Sequence, residues 1–172
     1  MINNPTISGY KPFYIQKGQT CYDTKAEWGF IAKSNPYPAL PEPKEPYVNK
    51  FKDHNGDDEY TDNMYYESFT FDVQFYIRTK DTITNNVVTE TAAETIRAKL
   101  KAFFDIVKNG ELMVFDSYTA LGRQHVRYAG YKEEAFRSRG DTATCIFTVT
   151  FKVNDPVTMT KLDSTTGKIV AI

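Results

Sequence analysis

The sequence predicts a mostly β fold, a β-sandwich or barrel with one α-helix packed against it. Two segments, 69–78 and 143–153, place an apolar residue at every odd position and mostly polar residues between them. A period of two residues is typical of a strand with one buried face, and no helix satisfies it over this length. A third segment, 91–110, has the period of a helix. These three segments form the expected core.

The helix is predicted over residues 91–109. Thr91 and Glu94 have the spacing of a capping box, in which the hydroxyl and the carboxylate accept hydrogen bonds from backbone N–H groups at the helix N-terminus. Asn109-Gly110 supplies a left-handed stop. The apolar stripe of this helix should pack on the inner faces of both long strands, and its members are Ile96, Leu100, Phe103, Phe104 and Val107.

Shorter elements are expected on either side of these segments. We predict strands at 12–16, 27–32, 112–115 and 124–131. A polar turn at 137–141 precedes the second long strand, and Asp155-Pro156 ends that strand. Near the C-terminus, Thr165-Thr166-Gly167 leaves two interpretations open, a small hairpin or a flexible arm.

A proline-rich segment interrupts the periodic pattern, since five of the eight prolines lie at 36–46. Proline fixes φ and removes a backbone donor, so an extended, polyproline-like arm is expected there. Residues 53–59 read Asp-His-Asn-Gly-Asp-Asp-Glu and predict an acidic turn, because Asn-Gly tolerates positive φ at both positions. The sequence leaves open whether the arm packs on its own domain or on a neighbour.

The chain of 172 residues has the length of one domain. Within it we expect four parts along the sequence. They are an N-terminal segment or arm at 1–35, the proline-rich arm and acidic turn at 36–60, the β-sandwich core at 61–156 with its helix at 91–109, and a C-terminal hairpin or arm at 157–172.

Composition and charge favour a self-associating β protein. The net charge is −1, with Lys and Arg scattered along the chain, whereas sequence-independent nucleic-acid binders carry a basic stripe. The 12 Tyr and 12 Phe residues are of types enriched in strands and at protein interfaces. The N-terminus lacks the pattern of a signal peptide and no apolar run has transmembrane length, so we expect synthesis in a cytoplasm.

The sequence offers no assignable reaction, and we predict no catalytic, cofactor-binding or metal-binding residue. His54 lies in the acidic turn, but a calcium loop aligned there would begin at Phe51, which cannot ligate. His125 has no carboxylate close to it in sequence. Cys21 and Cys145 form no CxxC pair, and Cys145 lies in the apolar alternation, where a small core residue is expected. Nucleophile-elbow and phosphate-loop motifs are absent.

The tyrosines allow a second class of function. Exposed aromatic rings stack on sugar faces, so a carbohydrate- or ligand-binding β-sandwich is an alternative to a structural protein. The interpretation that we favour places these tyrosines in the core or at protein interfaces. The residues concerned are Tyr65, Tyr66, Tyr76 and Tyr128.

The order of these features resembles one protein family. Trp28-Gly29 precedes the proline-bearing segment, and the acidic turn continues as Gly-Asp-Asp-Glu-Tyr at 56–60. After the alternating strand and the helix come Arg-Tyr-Ala-Gly-Tyr at 127–131 and the ending Phe-x-x-x-Asp-Pro at 151–156. Over residues 28–156 the chain resembles the N-terminal domain of phage distal tail proteins and, more broadly, the tail-tube superfamily of long-tailed phages. That family places one helix against a β-sandwich.

The resemblance implies a virion structural protein without a cofactor, assembled in the host cytoplasm. Such subunits form a ring, usually a hexamer, that joins the tail tube to the baseplate hub around a lumen for DNA. The implied partners are further copies of the chain and the tube and hub proteins, with DNA only in passing and no membrane insertion. A tail-tube or tail-terminator subunit is the alternative. The segment before Trp28 shows no clear match, and the carbohydrate-module-like second domain of larger members has no counterpart.

Overall fold

The structure, a computed structural model, describes residues 10–33, 38–50, 52 and 55–172. It confirms the predicted class, since strands dominate and a long helix packs against a large antiparallel sheet. The elements are β1 (Phe13–Lys17), β2 (Thr20–Asp23), α1 (Thr24–Trp28), β3 (Ile31–Ala32), β4 (Val48–Asn49), β5 (Asp58–Glu59), β6 (Phe69–Lys80), β7 (Thr82–Thr84), β8 (Val87–Glu90), α2 (Ala92–Val107), β9 (Leu112–Asp116), β10 (Leu121–Arg139), β11 (Thr142–Val153), β12 (Thr160–Asp163) and β13 (Lys168–Ala171).

Within the described residues, seven strands form the main sheet in the order β2-β1-β9-β10-β11-β6-β3, and each neighbouring pair is antiparallel. β6 and β11 pair without a register shift from Phe69↔Val153 to Lys80↔Thr142. An unbroken register keeps the odd-numbered side chains of both strands on one face. Both long-strand predictions are confirmed, with β6 and β11 extending slightly beyond the predicted ends.

The predicted helix is also confirmed. Thr91 is the N-cap of α2, and its Oγ1 accepts a hydrogen bond from the Glu94 N–H at 3.3 Å while Glu94 Oε2 accepts one from the Thr91 N–H at 2.9 Å. The helix ends at Val107, and Gly110 adopts the expected positive φ of 79° shortly after it. The residues of the stripe that α2 buries fully are Ile96, Phe103 and Val107.

Aromatic rings form the centre of the core. The Phe103 ring of α2 lies 5.1 Å from the Trp28 ring and 5.6 Å from the Phe30 ring, both edge-to-face. Phe30 in turn contacts Phe147 of β11 at 4.9 Å, and Phe75 of β6 contacts Phe147 at 5.5 Å. Edge-to-face and offset pairs of this kind stabilise a core beyond the area that they bury. The cluster therefore joins α2, the α1–β3 connection and both long strands.

The prediction of the apolar stripe is wrong for one residue. Phe104 is 45% exposed, whereas its neighbour Phe103 is 3% exposed. Successive residues of a helix point about 100° apart, so only one of two adjacent residues can face the sheet squarely. The Phe104 ring instead packs edge-to-face on Tyr128 of β10, with ring centroids 5.8 Å apart.

The main sheet curls until its two ends share one core. The Phe13 ring of β1 lies 6.0 Å from the Phe75 ring of β6, although three strands separate β1 from β6 in the sheet. β10, which is described over its whole length, has three register irregularities. Bulges increase the bend and twist of a strand, so β10 is where the sheet turns. This curling is the basis of the sandwich-like shape.

The N-terminal part differs from its prediction. The strand expected at 12–16 is β1, but the strand expected at 27–32 is wrong in its first half. Asp23 caps a short helix there, because its Oδ1 accepts hydrogen bonds from two N–H groups of α1. Gly29 ends α1 with φ at 75°, and only the last two residues, β3, pair with β6. Local capping thus outweighs the strand propensity of the aromatic residues.

In the second half of the sheet, the strands are longer than predicted. The strand expected at 112–115 is β9, and the one expected at 124–131 is the middle of the much longer β10. The turn expected at 137–141 is therefore wrong in length: β10 continues to Arg139, and only Gly140-Asp141 separate it from β11. How the whole chain divides into parts stays a prediction.

Of the two C-terminal interpretations, the hairpin is correct. β12 and β13 pair with each other and pack on the main sheet beside β9 and β10. Gln16 of β1 holds this hairpin, since its side-chain amide exchanges two hydrogen bonds with the backbone of Ile169. Gly122 permits the close approach, because a Cβ there would lie 2.1 Å from the Thr160 hydroxyl.

Asp155 holds the turn that follows β11. Its Oδ1 accepts hydrogen bonds from the N–H groups of Val157 and Thr158 at 3.2 and 3.1 Å, and its Oδ2 accepts one from Gln124 Nε2 at 2.8 Å. Burial opposes ionisation of this carboxyl. The hydrogen bonds outweigh burial and lower the pKa of Asp155 from 3.8 to about 2.

The first prediction concerns the core. Phe103→Ala should lower the free energy of unfolding by about 3–5 kcal/mol, because it removes a buried ring and leaves a cavity. Phe104→Ala is the matched control in the next position, and we expect it to cost less than about 1.5 kcal/mol. Chemical denaturation of both variants measures this. Equal losses would contradict the assignment of Phe103 alone to the core.

The second prediction concerns the stability of the fold at acidic pH. The pKa of Asp155 is lower in the folded chain, so its carboxylate stabilises the fold at neutral pH and loses that effect as the pH falls from 3.8 to about 2. Asp155→Ala should therefore reduce the free energy of unfolding most at neutral pH, and the difference from wild type should shrink in that interval. Urea unfolding across pH tests this, with the exposed Asp62→Ala as control. A difference that does not change with pH contradicts it.

Candidate interaction surfaces

The candidate functional sites of this chain are surfaces that could bind other proteins. In the described part of the chain, no group of three or more His, Cys, Asp or Glu side chains could hold a metal ion. No helix among the described residues is long and apolar enough to cross a membrane. Phe51 and His54, which were weighed for a calcium loop, lie outside the described residues.

The expectation that His125 has no carboxylate partner needs correction. Its Nδ1 lies 2.7 Å from Oε2 of Glu111, the residue before β9. The pairing of β9 with β10 brings the two residues together, and His125 sits at a bulge of β10 with φ at 52°. Both side chains are exposed. They form a surface pair, without the enclosure that tunes an acid–base group.

The structure confirms that Cys145 is a small core residue. Its side chain is buried, and burial together with the nearby Glu133 carboxylate raises the pKa of its thiol to about 11. Burial also raises the pKa of the half-buried Cys21 thiol. The thiolate is the nucleophilic form of cysteine, so neither thiol is activated at neutral pH.

The first candidate surface is a two-stranded arm, described over residues 38–50, 52 and 55–67, which we call the tyrosine ribbon. The proline-rich segment pairs with the segment after the acidic turn: the Lys44 N–H donates to the Tyr65 carbonyl and the Glu67 N–H donates to the Glu42 carbonyl, both at 2.8 Å. Further along, β4 pairs with β5. Prolines are compatible with such an edge, since one side of each strand needs no donor.

The ribbon displays aromatic rings to solvent. Tyr47 and Tyr65 are each 73% exposed, and Tyr60 is 65% exposed. Between the Lys44–Tyr65 pairing and the β4–β5 pairing, the two strands of the ribbon leave a cleft of about 460 Å³. Its lining residues are Lys44, Glu45, Pro46, Tyr47, Tyr60, Asn63, Met64 and Tyr65.

A buried arginine holds the base of the ribbon. Arg123 of β10 is fully buried, and its Nη2 donates to the carbonyl oxygens of Pro38 and Ala39 at 2.9 and 3.0 Å. Its Nη1 donates to the Gly122 carbonyl, and its guanidinium lies 6.0 Å from the Phe69 ring centroid. A buried charge is costly unless hydrogen bonds offset its desolvation, and these carbonyls do so. No local sequence pattern marks a buried arginine, so this role of Arg123 was not predicted.

The second candidate surface is the groove between α2 and β10, which we call the helix groove. It encloses about 360 Å³, and its lining residues are Arg97, Leu100, Lys101, Phe103, Phe104, Tyr128 and Tyr131. Arg97 pairs with Glu133 and also lies 4.4 Å above the Phe136 ring. Burial and the Glu133 charge raise the pKa of Tyr131 to about 12, so its hydroxyl stays protonated at neutral pH. The floor of the groove is thus apolar, and its rim holds two cations, each paired with a carboxylate outside the lining.

The third candidate surface is one edge of β10. β9 pairs with β10 only between Leu121 and Val126, whereas β11 accompanies β10 as far as Arg139. Over residues 127–139, no strand in the described part of the chain pairs with the other edge of β10. An unpaired edge presents backbone donors and acceptors on which a further strand can pair.

The tyrosines singled out from the sequence fall into two groups. Tyr65 belongs to the ribbon cleft and Tyr128 to the helix groove. Tyr66 and Tyr76 are partly exposed, at 38% and 37%, away from both linings. The structure therefore brings one of the four to the lining of the ribbon cleft and one to the lining of the helix groove, while Tyr66 lies on the ribbon outside its cleft.

Comparison with known proteins gives a fold likeness and no sequence match. No model of a known protein family matches the chain, and no characterised protein matches its sequence. The fold is similar to the crystal structure of SPP1 Dit (gp 19.1), described as a paradigm of the hub adsorption apparatus in phages that infect Gram-positive bacteria. The TM-score is 0.52 and the identity 12%, over 88% of this chain and 53% of Dit. This chain thus corresponds to about half the length of Dit.

The third prediction concerns the base of the ribbon. Arg123→Met keeps a long side chain but removes the donors to Pro38 and Ala39. Each hydrogen bond to a charged group contributes about 1.5–3 kcal/mol, so protease should cut within 38–67 at least about tenfold faster. Limited proteolysis followed by mass spectrometry measures this. The exposed Arg127→Met is the matched control, and equal cleavage rates in the two variants would overturn the assignment.

Proposed function

We propose that this chain is a structural protein of a phage tail and that it catalyses no reaction. In this proposal it forms a ring, a hexamer, that joins the tail tube to the baseplate hub in the virion. The observation that carries the proposal is the fold likeness to Dit, a hub protein of a phage, which extends over 88% of this chain. The sequence resemblance over residues 28–156 supports the same family.

The shape of the subunit supports assembly into a ring. A cyclic ring of identical subunits needs two different surfaces on each subunit, one for each neighbour. The chain offers unlike surfaces of this kind: an open strand edge on β10, an aromatic acidic ribbon and an apolar groove. Aromatic residues are enriched at protein interfaces, in keeping with the exposed tyrosines of the ribbon.

Two other kinds of tail subunit, the tail-tube subunit and the tail terminator, have related folds. A tail-tube subunit would polymerise into long tubes, and a tail terminator would close a tube, whereas a distal tail protein stops at one or two rings. Negative-stain images of the purified chain separate these outcomes. We propose the distal tail station, because the fold likeness is to Dit.

A second candidate function has one observation in its favour. The ribbon cleft combines the rings of Tyr47, Tyr60 and Tyr65 with polar side chains, a lining that suits a sugar face. Glycan-array binding tests this directly. A monomer that binds a defined glycan, and loses it on Tyr60→Ala, would favour a carbohydrate-binding module over a tail protein.

The fourth prediction concerns the β10 edge. At rising concentration the chain should form rings visible by negative stain, with a mass near six subunits. In hydrogen exchange, residues 127–139 should then gain protection, because a neighbour pairs with this edge. Residues 143–153 of β11 are the internal control, since β11 is already paired on both sides.

Two results would contradict the proposal. A chain that stays monomeric from micromolar to near-millimolar concentration contradicts the ring. Rings that form without added protection at 127–139 contradict the use of the β10 edge and leave the ring itself intact.

A further inference from the structure

We propose that the helix groove of one subunit receives the tyrosine ribbon of a second copy of the chain. This inference rests on the proposed function, because it names the contact that links neighbouring subunits. It joins two surfaces that the fold leaves exposed, and it rests on their shape, register and charge.

The helix groove is suited to an aromatic side chain. Phe104 and Tyr131 are each 45% exposed along its length, and Leu100 and Phe103 form its floor. Its volume of about 360 Å³ is large enough for one or two aromatic rings. Exposed apolar grooves with polar rims are typical of protein docking sites. An aromatic residue with carboxylates beside it would satisfy both the floor and the rim.

The register of the ribbon presents such a group. The Tyr60 N–H donates to the Tyr47 carbonyl at 3.0 Å, so these residues lie opposite each other on the two strands. Residues opposite each other share a face, and so do residues two positions along a strand. Asn49↔Asp58, two positions along, therefore lies on the same face as the two tyrosines. One face thus displays two exposed rings beside a carboxylate.

The charges of the two surfaces are complementary. Residues 38–50, 52 and 55–67 hold seven acidic and three basic side chains, all of them exposed. The lining of the groove contains the cations Arg97 and Lys101 and no carboxylate. Glu133 and Asp105 already pair with these cations from outside the lining. The Lys101–Asp105 pair is exposed, so a carboxylate of the ribbon can replace Asp105 at little cost. Arg97 keeps its two hydrogen bonds to Glu133.

A ribbon that fills the helix groove comes from another subunit. The groove is lined by residues of α2 and β10 and by no described residue of the ribbon, so the described part of the ribbon does not occupy the groove of its own chain. Arg123 fixes the base of the ribbon on β10. Because ribbon and groove are different surfaces, each subunit can insert its ribbon into one neighbour and receive the ribbon of the other, which is the arrangement that closes a ring.

Site-specific photocrosslinking tests this contact. The full chain carries benzoylphenylalanine in place of Phe104, and labelled and unlabelled copies are mixed in the assembled state. We expect crosslinks between copies that map to peptides containing Tyr47 or Tyr60. The control probe replaces Tyr118, which is 62% exposed and absent from the groove lining, and should give no such crosslinks.

A second measurement does not depend on the probe. Tyr60→Ala should weaken self-association at least about tenfold, as loss of a central aromatic residue does at other interfaces. Tyr118→Ala is the matched control and should leave association unchanged. Circular dichroism and thermal unfolding establish that both variants fold like wild type, since both residues are exposed.

The outcomes separate this inference from the proposed function. Rings whose Phe104 probe crosslinks to other segments of a second copy, or to none, overturn the inference and leave the ring in place. Capture of a different tail protein by the probe, with no ribbon crosslink, also overturns it, because the groove then serves another partner. A chain that never assembles overturns the ring as well.

Discussion

The fold depends on the unbroken pairing of β6 with β11. Because twelve residues of each strand pair in one register, their apolar side chains form a continuous face. That face holds Phe75 and Phe147, against which Phe30 and Phe103 pack. A slip of one residue would turn the apolar set to solvent and remove the surface on which α2 and the α1–β3 connection rest.

The elements that sequence analysis recovered are those with a local physical signature. A period of two over 69–78 and 143–153, and a capping box before a period of 3.6 residues, each depend on neighbours in sequence. The features that were not predicted depend on contacts between residues that are distant in sequence. Phe104 fits the helical stripe, but the width of the sheet contact decides whether it is buried. Arg123 has no local sign of its burial among the carbonyl oxygens of residues 38 and 39.

The length and the bulges of β10 connect the core to the candidate surfaces. Its first part pairs with β9 and joins the two halves of the curled sheet, and its second part extends beyond β9 and leaves an edge on which no described strand pairs. The same strand supplies Arg123 to the ribbon and Tyr128 and Tyr131 to the helix groove. A change in the curvature of β10 would therefore move all three surfaces together, which couples the shape of the core to the geometry of assembly.

The arginine beneath the ribbon explains why the ribbon can act as a connecting arm. A two-stranded ribbon is marginally stable by itself in water, so its direction must be set at its base. Arg123 does this with hydrogen bonds to backbone carbonyls, which leave the ribbon's side chains available for a neighbour. Binding through such an arm loses less entropy when the arm is already oriented. A buried charge in the core is thus the physical basis for presenting Tyr47 and Tyr60 in a fixed direction.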